Sequence, residues 1–334
     1  MNGDSKIAIL GGGSWATALI KMLSENVTIE GGINWYMRDN EAIAYINEHN
    51  RNPKYLSAVE IDTKIIKLHL DINQAIKDAE IVILAIPSAF LKDALKELTF
   101  DLKNKIIVSA IKGIVPKENM IIAEYFNNNY DVPLDSIVVI AGPCHAEEVA
   151  MERLSYLTIA SQDLLKAEFV ANKLETRYIK TTISDDIYGT EYSSVLKNIF
   201  AVSAGICHGL SYGDNFQAVL ISNAIQEIKR FVDTVHPIDR DIKSSAYLGD
   251  LLVTAYSKFS RNRTFGMMIG KGYSVKSAQL EMNMIAEGYY AVNCIHEINK
   301  QFNIYMPITD AVYNILYSGK PPAFEIKLLT DKLR

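Results

Sequence analysis

Cysteine is scarce in this sequence. Its 334 residues include only Cys144, Cys207 and Cys294, which lie far apart and form no C-x-x-C pair. An odd number of isolated cysteines favours a reducing compartment and argues against a disulfide framework or a cysteine-based zinc site. We therefore expect the fold to depend on its hydrophobic core and the cysteines to remain free thiols.

Long apolar runs are also lacking. The longest uncharged stretch, residues 198–213, is short for a membrane span and contains Asn, Ser, His and Gly. No apolar signal region precedes the strand that begins near Lys6. We expect a cytoplasmic protein without a membrane span.

An excess of charge of one sign is missing as well. The formal net charge is −5, with 49% hydrophobic and 22% charged residues. This composition excludes a disordered chain and does not fit a nucleic-acid-binding protein. Any anionic ligand must be held by a local cluster of cations. The length is sufficient for two domains, each with its own core.

The first half of the chain alternates short β-branched runs with amphipathic segments. Such runs are typical of strands buried on both faces of a parallel sheet, and the helical intervals complete βαβ units. We predict an α/β fold with a doubly wound, mostly parallel sheet. The predicted strands are Ile7–Leu10, Ile33–Met37, Ile81–Ile86, Ile106–Ile111 and Ile137–Ala141, with Tyr156–Ala160 and Tyr178–Thr182 extending the sheet.

After Ser184 the strand-like runs end and long helical patterns begin. The chain is therefore expected to have a nucleotide-binding domain over residues 1–184 and an all-helical domain over residues 185–334. The predicted helices are Asp186–Cys207, Phe216–Val235, Ser244–Phe259, Ser274–Gln279, Glu287–Phe302 and Pro307–Tyr317.

A glycine loop follows the first strand. Gly11-x-Gly13-x-x-Ala16 opens a predicted helix over Trp15–Leu23. The first glycine permits a tight turn, the second lets the backbone approach a pyrophosphate, and a small third residue lets helix and strand pack closely. The helix N-terminus adds unpaired N–H groups and a positive dipole. This pattern predicts a Rossmann domain that binds NADH or NADPH.

The residues after the second strand leave the choice of cofactor open. An acid at this point binds the ribose hydroxyls of NAD, whereas an arginine accommodates the 2′-phosphate of NADP. The sequence has Arg38 followed by Asp39. Arg38 favours NADPH, and Asp39 could instead serve NADH.

Two further segments follow predicted strands, at the sheet edge where open α/β folds bind ligands. Lys112 leaves the apolar strand that ends at Ile111, and it could bind a ligand or cap the sheet edge. Gly142 and Ala146 are small enough to let a ligand touch the backbone. Cys144 and His145 are adjacent and lack an orienting third group, so covalent catalysis is not expected.

Lys197 and Asp250 are charged residues within otherwise apolar helical stretches. Burying either charge alone is costly, so each suggests the other as its partner. A buried salt bridge without chemistry is one interpretation. In the functional interpretation Lys197 exchanges the proton of a reacting alcohol or ketone, and Asp250 orients it. A neighbouring Lys112, together with burial, would lower the pKa of Lys197.

Ser260-Arg261-Asn262-Arg263 supplies a rigid guanidinium fork with neutral donors beside it. Such a run is suited to a phosphate group, although a solvated basic loop is the alternative. Glu287 opens a helix, where an acid is favoured by the dipole. No His, Asp and Glu grouping has metal-ligand spacing, so no metal is expected.

Seven motifs in order resemble one family, the bacterial NAD(P)-dependent glycerol-3-phosphate dehydrogenases, over residues 5–330. The resemblance implies reduction of dihydroxyacetone phosphate, a three-carbon phosphorylated ketone, to sn-glycerol 3-phosphate for glycerophospholipid synthesis. It also implies a homodimer and a helical domain similar to that of 6-phosphogluconate dehydrogenase. The motifs are GGGSWATAL, SAIKGI, GPCHAEEVA, SSVLKNIFAVSAGI, YLGDLLVT, SRNRTFG and AEGYYAV.

The resemblance also implies roles for individual residues. Lys197 matches the proton acceptor. Positions that match substrate contacts are Lys112, Gly142, Cys144, Lys197, Asp250, Ser260, Arg261 and Asn262. Positions that match cofactor contacts, in addition to Gly11 and Gly13 of the loop, are Ser14, Trp15, Arg38, Lys112, Ala146, Arg261, Ile285 and Glu287.

Three positions depart from the family pattern. Ala16 replaces a frequent Gly, Ile111 replaces a smaller polar residue, and Cys144 replaces the commoner Ser or Thr. A thiol is a weaker donor than a hydroxyl, which puts the substrate contact of Cys144 in question. Two other functions remain open, a related two-domain β-hydroxy acid dehydrogenase and a non-catalytic dinucleotide sensor.

Overall fold

The structure, a computed structural model, describes residues 6–27, 32–282 and 284–334. The chain divides into two units, one of Met1–Ile111 with Ile122–Ile187 and one of Lys112–Ile121 with Tyr188–Arg334. The second unit thus includes a short segment that precedes most of it in the chain, which the expected division at Ser184 does not foresee. Within this segment the backbone N–H of Val115 donates to the carbonyl of Met120 (2.9 Å).

The β-branched runs of the first unit form one sheet. Its order is β3-β2-β1-β4-β5-β6-β7-β8, and every neighbouring pair is parallel except β6 and β7. The predicted doubly wound, mostly parallel sheet is therefore confirmed. The strands are β1 (Ile7–Leu10), β2 (Ile33–Tyr36), β3 (Ile66–His69), β4 (Ile81–Leu84), β5 (Ile106–Ser109), β6 (Ile137–Ala141), β7 (Ser155–Ala160) and β8 (Ile179–Ser184).

Strand β1 lies inside the sheet, between β2 and β4, and all four of its residues are apolar and buried. Ile7 pairs in register with Ile33 of β2 and with Ile81 of β4. The carboxyl ends of β1, β2 and β4 therefore lie at one edge, which is the binding edge of such sheets. Strand β3 was not predicted from the sequence. It is an edge strand that includes the exposed Lys67, so its apolar pattern is weak.

Helices cover the sheet, and aspartate side chains begin three of them. Asp39, Asp71 and Asp163 each accept a hydrogen bond from a backbone N–H of the following turn, which satisfies a donor that the helix itself cannot. The helices of this unit are α1 (Ser14–Ser24), α2 (Asn40–His49), α3 (Ile72–Ile76), α4 (Leu91–Leu95), α5 (Ile122–Tyr130), α6 (Ala146–Ala150) and α7 (Leu164–Leu174).

The second unit is helical, as predicted. In place of one helix over Ser244–Phe259, a π-helical turn at Ser245–Gly249 leads into a shorter helix. The helices over Arg261–Gly270 and Pro322–Thr330 were not predicted from the sequence. Glycines interrupt the helical pattern of the first, and prolines precede that of the second. The helices are α8 (Ile187–Gly209), α9 (Asp214–Val235), α10 (Asp250–Tyr256), α11 (Arg261–Gly270), α12 (Val275–Glu281), α13 (Glu287–Phe302), α14 (Pro307–Leu316) and α15 (Pro322–Thr330). Within the described ranges, each helix is too short or too polar to cross a bilayer.

Helices α8 and α11 meet backbone to backbone through glycines. A β-carbon at Gly205 of α8 would overlap the carbonyl oxygen of Arg263, and one at Gly266 of α11 would overlap that of Val202. The absence of side chains at these positions is what permits the contact. The separation of the two helices is therefore set by the main chain.

A buried carboxyl group holds the start of α14. Glu227 of α9 is fully buried, and its oxygens accept hydrogen bonds from the backbone N–H groups of Ile308 (3.0 Å) and Thr309 (3.2 Å). Burial raises the pKa of this carboxyl to about 8, and the two backbone hydrogen bonds oppose the shift only in part. The folded state therefore binds a proton at Glu227 that the unfolded chain releases at lower pH.

The free energy of unfolding is expected to fall as the pH rises from about 5 to 8. A raised pKa in the folded state contributes stability that is fully present below the ordinary pKa of the carboxyl and is lost as the pH rises through about 8. One proton gives a slope of at most about 1.4 kcal/mol per pH unit. Urea unfolding across this range should show a flatter profile for Glu227→Gln than for the wild type. Glu297→Gln, at a half-buried position on α13, should keep the wild-type slope, because the pKa of Glu297 is lowered and this carboxyl is already ionised across the range. Equal slopes in all three proteins would contradict the assignment.

Candidate active site

The glycine loop between β1 and α1 is open on one side. Gly11 has a backbone φ of 127° and lies so close to the Ala85 carbonyl that a side chain is excluded. Among the described residues, apart from its neighbours in the chain, no atom lies within 4 Å of the place where a β-carbon at Gly13 would stand. Ser14 and Trp15 begin α1 and are half-buried. Open backbone beside a helix N-terminus is the arrangement that receives a pyrophosphate, so the loop fits a dinucleotide.

Asn52 braces this loop, and the sequence analysis missed it. Its side chain is buried, and its amide nitrogen donates to the carbonyl of Gly12 (3.2 Å) and to the hydroxyl of Thr17 (3.0 Å). Its amide oxygen accepts from the backbone N–H groups of Lys54 and Tyr55, both at 3.1 Å. A single asparagine therefore connects the glycine loop to the segment that follows α2.

The residues after β2 differ in how freely they can meet a ligand. Arg38 is exposed. Asp39 accepts a hydrogen bond from the backbone N–H of Ala42 (3.1 Å) and forms an ion pair with Lys54 (2.6 Å). The ammonium of Lys54, followed by the N–H of Ala42, lowers the pKa of Asp39. The carboxylate considered for the ribose hydroxyls is therefore already engaged.

The segment after β6 lies at the same edge of the sheet as the glycine loop, because β1, β4, β5 and β6 run parallel. Gly142 follows β6 with a φ of 112°, and Ala146 begins α6. The side chain of Cys144 between them is buried. Gly142, Cys144 and Ala146 thus follow the carboxyl end of β6, and their contact with a ligand stays a prediction.

In the second unit, Asp250 joins two lysines. Lys197 of α8 forms a salt bridge with Oδ1 of Asp250, as the sequence suggested, and both side chains are at most 3% exposed. The ammonium of Lys112 lies 3.5 Å from Oδ2 of the same carboxylate and is 21% exposed. The residues that the sequence placed in apolar surroundings thus form one cluster of two cations and one anion.

Burial sets the protonation of this cluster. It lowers the pKa of Lys197 to about 7; the Asp250 carboxylate opposes the shift, and the Lys112 ammonium adds to it. A lysine with a pKa near neutrality exists in both forms under ordinary conditions, so it can act as an acid or as a base. The cluster is therefore equipped for proton transfer.

Asn198, the residue after Lys197, is the centre of a second hydrogen-bonded network that the sequence analysis did not find. Its amide nitrogen donates to the carbonyl of Lys112 (2.6 Å), and its amide oxygen accepts from the side chain of Asn262 (2.8 Å). The Asn262 oxygen in turn accepts from the backbone N–H of Gly288 (2.9 Å). This network fixes the starts of α11 and α13 relative to α8.

The Ser-Arg-Asn run forms the start of α11 rather than a loop. The Ser260 hydroxyl caps the helix by accepting from the backbone N–H of Arg263 (3.3 Å). The Asn262 amide is buried, with both its nitrogen and its oxygen engaged. Arg261 is exposed at the first position of the helix. Of the three, the guanidinium of Arg261 is the group best placed to receive an anion.

Ile285 and Glu287 flank the start of α13. Ile285 lines a cavity of about 300 Å³ with aromatic and methionine side chains, among them Phe265 and Tyr289. Glu287 is the first residue of the helix. In the parts of the chain that the structure describes, no cluster of His, Cys, Asp or Glu is arranged to hold a metal ion.

Comparison with known proteins places both units in one family. The model of the N-terminus of NAD-dependent glycerol-3-phosphate dehydrogenase matches residues 6–167, and the model of its C-terminus matches residues 186–327. A glycerol-3-phosphate dehydrogenase [NAD(P)+] of Clostridium botulinum (strain Eklund 17B / Type B) is 34% identical over 97% of both chains. One from Listeria monocytogenes serotype 4a is 36% identical over 98% of this chain and 97% of its own.

A solved structure agrees with these matches. The crystal structure of glycerol-3-phosphate dehydrogenase from Coxiella burnetii superposes with a TM-score of 0.89 at 27% identity, covering 98% of each chain. Family models, curated relatives and fold thus point to the same enzymes, and the chain belongs to the NAD-dependent glycerol-3-phosphate dehydrogenase family of oxidoreductases.

Proposed function

We propose that this enzyme reduces dihydroxyacetone phosphate to sn-glycerol 3-phosphate, reversibly, with NADPH or NADH. NAD(P)-dependent glycerol-3-phosphate dehydrogenase activity is that of its family. The proposal adds the direction of the reaction and the roles of individual residues. The Lys197–Asp250–Lys112 cluster is the observation that carries it, because reduction of a ketone requires a proton donor.

Lys197 provides the proton in this scheme. The ketone carbon takes a hydride, which the reduced nicotinamide supplies when bound. The ammonium of Lys197 donates a proton to the oxygen as it becomes an alkoxide, and the lysine is left as a neutral amine. In the reverse reaction the amine accepts the hydroxyl proton. Asp250 holds the nitrogen in place, and burial, with a smaller effect of the Lys112 ammonium, lowers the pKa of Lys197 to about 7.

Arg261 provides the main grip on the substrate phosphate. Its guanidinium is exposed at the N-terminus of a ten-residue helix, where backbone N–H groups also favour an anion. Ser260 and Asn262 fix the start of α11. A hydroxyl that accepts can still donate, and an amide nitrogen has two N–H groups, so both residues are also retained as proposed substrate contacts. Gly142 and Cys144 are retained as proposed substrate contacts.

The glycine loop is the centre of the proposed cofactor site. The open backbone at Gly13 receives the pyrophosphate, Gly11 makes the tight turn that precedes it, and α1 directs its N-terminus to the same place. The other proposed cofactor contacts are Ser14, Trp15, Arg38, Lys112, Ala146, Arg261, Ile285 and Glu287.

We further propose that the enzyme acts in the cytoplasm as a homodimer and that its product supplies glycerophospholipid synthesis. We propose no nucleic-acid partner.

Absorbance at the nicotinamide band tests the proposed reaction. Purified protein is mixed with dihydroxyacetone phosphate and either NADPH or NADH. We expect oxidation of the cofactor that depends on the ketone. Cofactor binding without oxidation would support the dinucleotide sensor, and oxidation that depends on a β-keto acid alone would support the β-hydroxy acid dehydrogenase.

Lys197→Met should lower the kcat of reduction by about 10²- to 10⁴-fold, the usual contribution of a general acid. Cofactor binding, measured by calorimetry, should stay unchanged. In the wild type, the kcat of reduction should fall and that of oxidation should rise as the pH passes about 7, because reduction needs the ammonium and oxidation needs the amine. The residual activity of the variant should lack this dependence. Lys229→Met, at an exposed site on α9, is the control. A wild-type kcat for Lys197→Met would disprove the role of Lys197 as proton donor.

Arg261→Ala should lower kcat/KM for dihydroxyacetone phosphate by about 10- to 100-fold, the range for a charge-assisted hydrogen bond. Activity on dihydroxyacetone, which has no phosphate, should fall much less, because for that substrate only the proposed cofactor contact of Arg261 is lost. Arg263→Ala is the matched control, because side chains two positions apart point away from each other on a helix. An equal loss on both substrates would place Arg261 elsewhere in the mechanism.

A further inference from the structure

The engaged carboxylate of Asp39 bears on which cofactor the enzyme selects. One of its oxygens accepts from the backbone N–H of Ala42, and the other meets the ammonium of Lys54 at 2.6 Å. An acid that binds the two ribose hydroxyls of NAD accepts with its two oxygens. Each Asp39 oxygen already accepts from another donor, so the ribose hydroxyls would have to share it with the helix cap and the Lys54 ammonium.

The backbone of Lys54 is held in place by hydrogen bonds to a buried side chain. Asn52 is 2% exposed and uses its whole amide, with two bonds to the glycine loop and α1 and two to the backbone of residues 54 and 55. The backbone of Lys54 is therefore tied to the loop that receives the pyrophosphate. Its side chain, by contrast, is 60% exposed and can reach a ligand.

Two cationic side chains are available at this corner. Arg38 and Asp39 directly follow Met37 at the carboxyl end of β2, where Rossmann folds hold the adenosine ribose. Arg38 is exposed, and the ion pair with Asp39 brings the ammonium of Lys54 to the residue beside it. Glu41, in the first turn of α2, also attracts Lys54, so the corner has two cations and two carboxylates. Its fit to an anion comes from the N–H donors of Arg38 and Lys54 and not from a net charge.

We propose that Lys54 is a specificity-determining residue that binds the 2′-phosphate of the cofactor together with Arg38, so that the enzyme prefers NADPH to NADH. This inference rests on the proposed dehydrogenase function. Asp39 has an indirect part, since it aims the ammonium of Lys54 and is itself shielded by it. The shielding matters because a bare carboxylate here would repel the phosphate and accept the ribose hydroxyls.

Two substitutions should therefore act in opposite directions. Lys54→Ala removes a phosphate ligand and exposes the Asp39 carboxylate, so the ratio of kcat/KM for NADPH to that for NADH should fall by about 10- to 100-fold. Asp39→Asn keeps a good helix cap but removes the negative charge, so the same ratio should stay or rise. Lys64→Ala is the control, because Lys64 is exposed before the amino end of β3, at the opposite edge of the sheet.

Binding without turnover gives an independent readout. Calorimetry should show that the wild type binds adenosine 2′,5′-bisphosphate more tightly than adenosine 5′-monophosphate. Lys54→Ala should lose most of this difference, and Lys64→Ala should keep it. Circular dichroism and thermal unfolding of each variant would verify that it is folded.

The outcomes separate this inference from the proposed reaction. If neither cofactor is oxidised with dihydroxyacetone phosphate, the reaction is wrong, while the binding comparison still reports on Lys54. If the reaction occurs but the wild type prefers NADH, or if Lys54→Ala leaves both ratios unchanged, the role of Lys54 is overturned.

Discussion

The ion pair between Lys197 and Asp250 is the interaction on which the second unit depends. Both charges lie in the protein interior, where either one alone would be strongly destabilising. Helices α8 and α10 must therefore come together in a single arrangement, and the segment that carries Lys112 must join them. Asp250 begins α10 directly after a π-helical turn, an irregularity that is frequent at functional sites. Stability and proposed chemistry thus rely on the same contact.

Two buried asparagines position the charged groups in the two units. Asn52 fixes the segment that carries Lys54, and Asn198 fixes the backbone of Lys112 and the amide of Asn262. An asparagine is suited to this task because it offers donors and an acceptor without adding charge. The charged side chains can then meet ligands while their backbones remain fixed.

The sequence was sufficient for those features whose signal is local. Buried parallel strands have β-branched runs, glycine loops have fixed spacing, and Lys197 and Asp250 stand out as charges within apolar helices. Asn198 gave no such signal, because its partner Asn262 is 64 residues away and an asparagine in a helix is ordinary. The engagement of Asp39 by Lys54 was also not predicted, since it depends on how the chain turns after α2. Pairings that arise only from tertiary structure leave no periodic pattern to read.

The glycine contact between α8 and α11 fixes the distance between two residues of the proposed site. Helix α8 carries Lys197 and α11 begins with Arg261, so the span from the proposed proton donor to the proposed phosphate ligand is set where the two backbones touch. No side chain at that contact can be shortened to bring the helices closer, and any added β-carbon would force them apart. A family member adapted to a longer phosphorylated ketone would thus need a different helix crossing, whereas changes around the ligand alone would leave this span as it is.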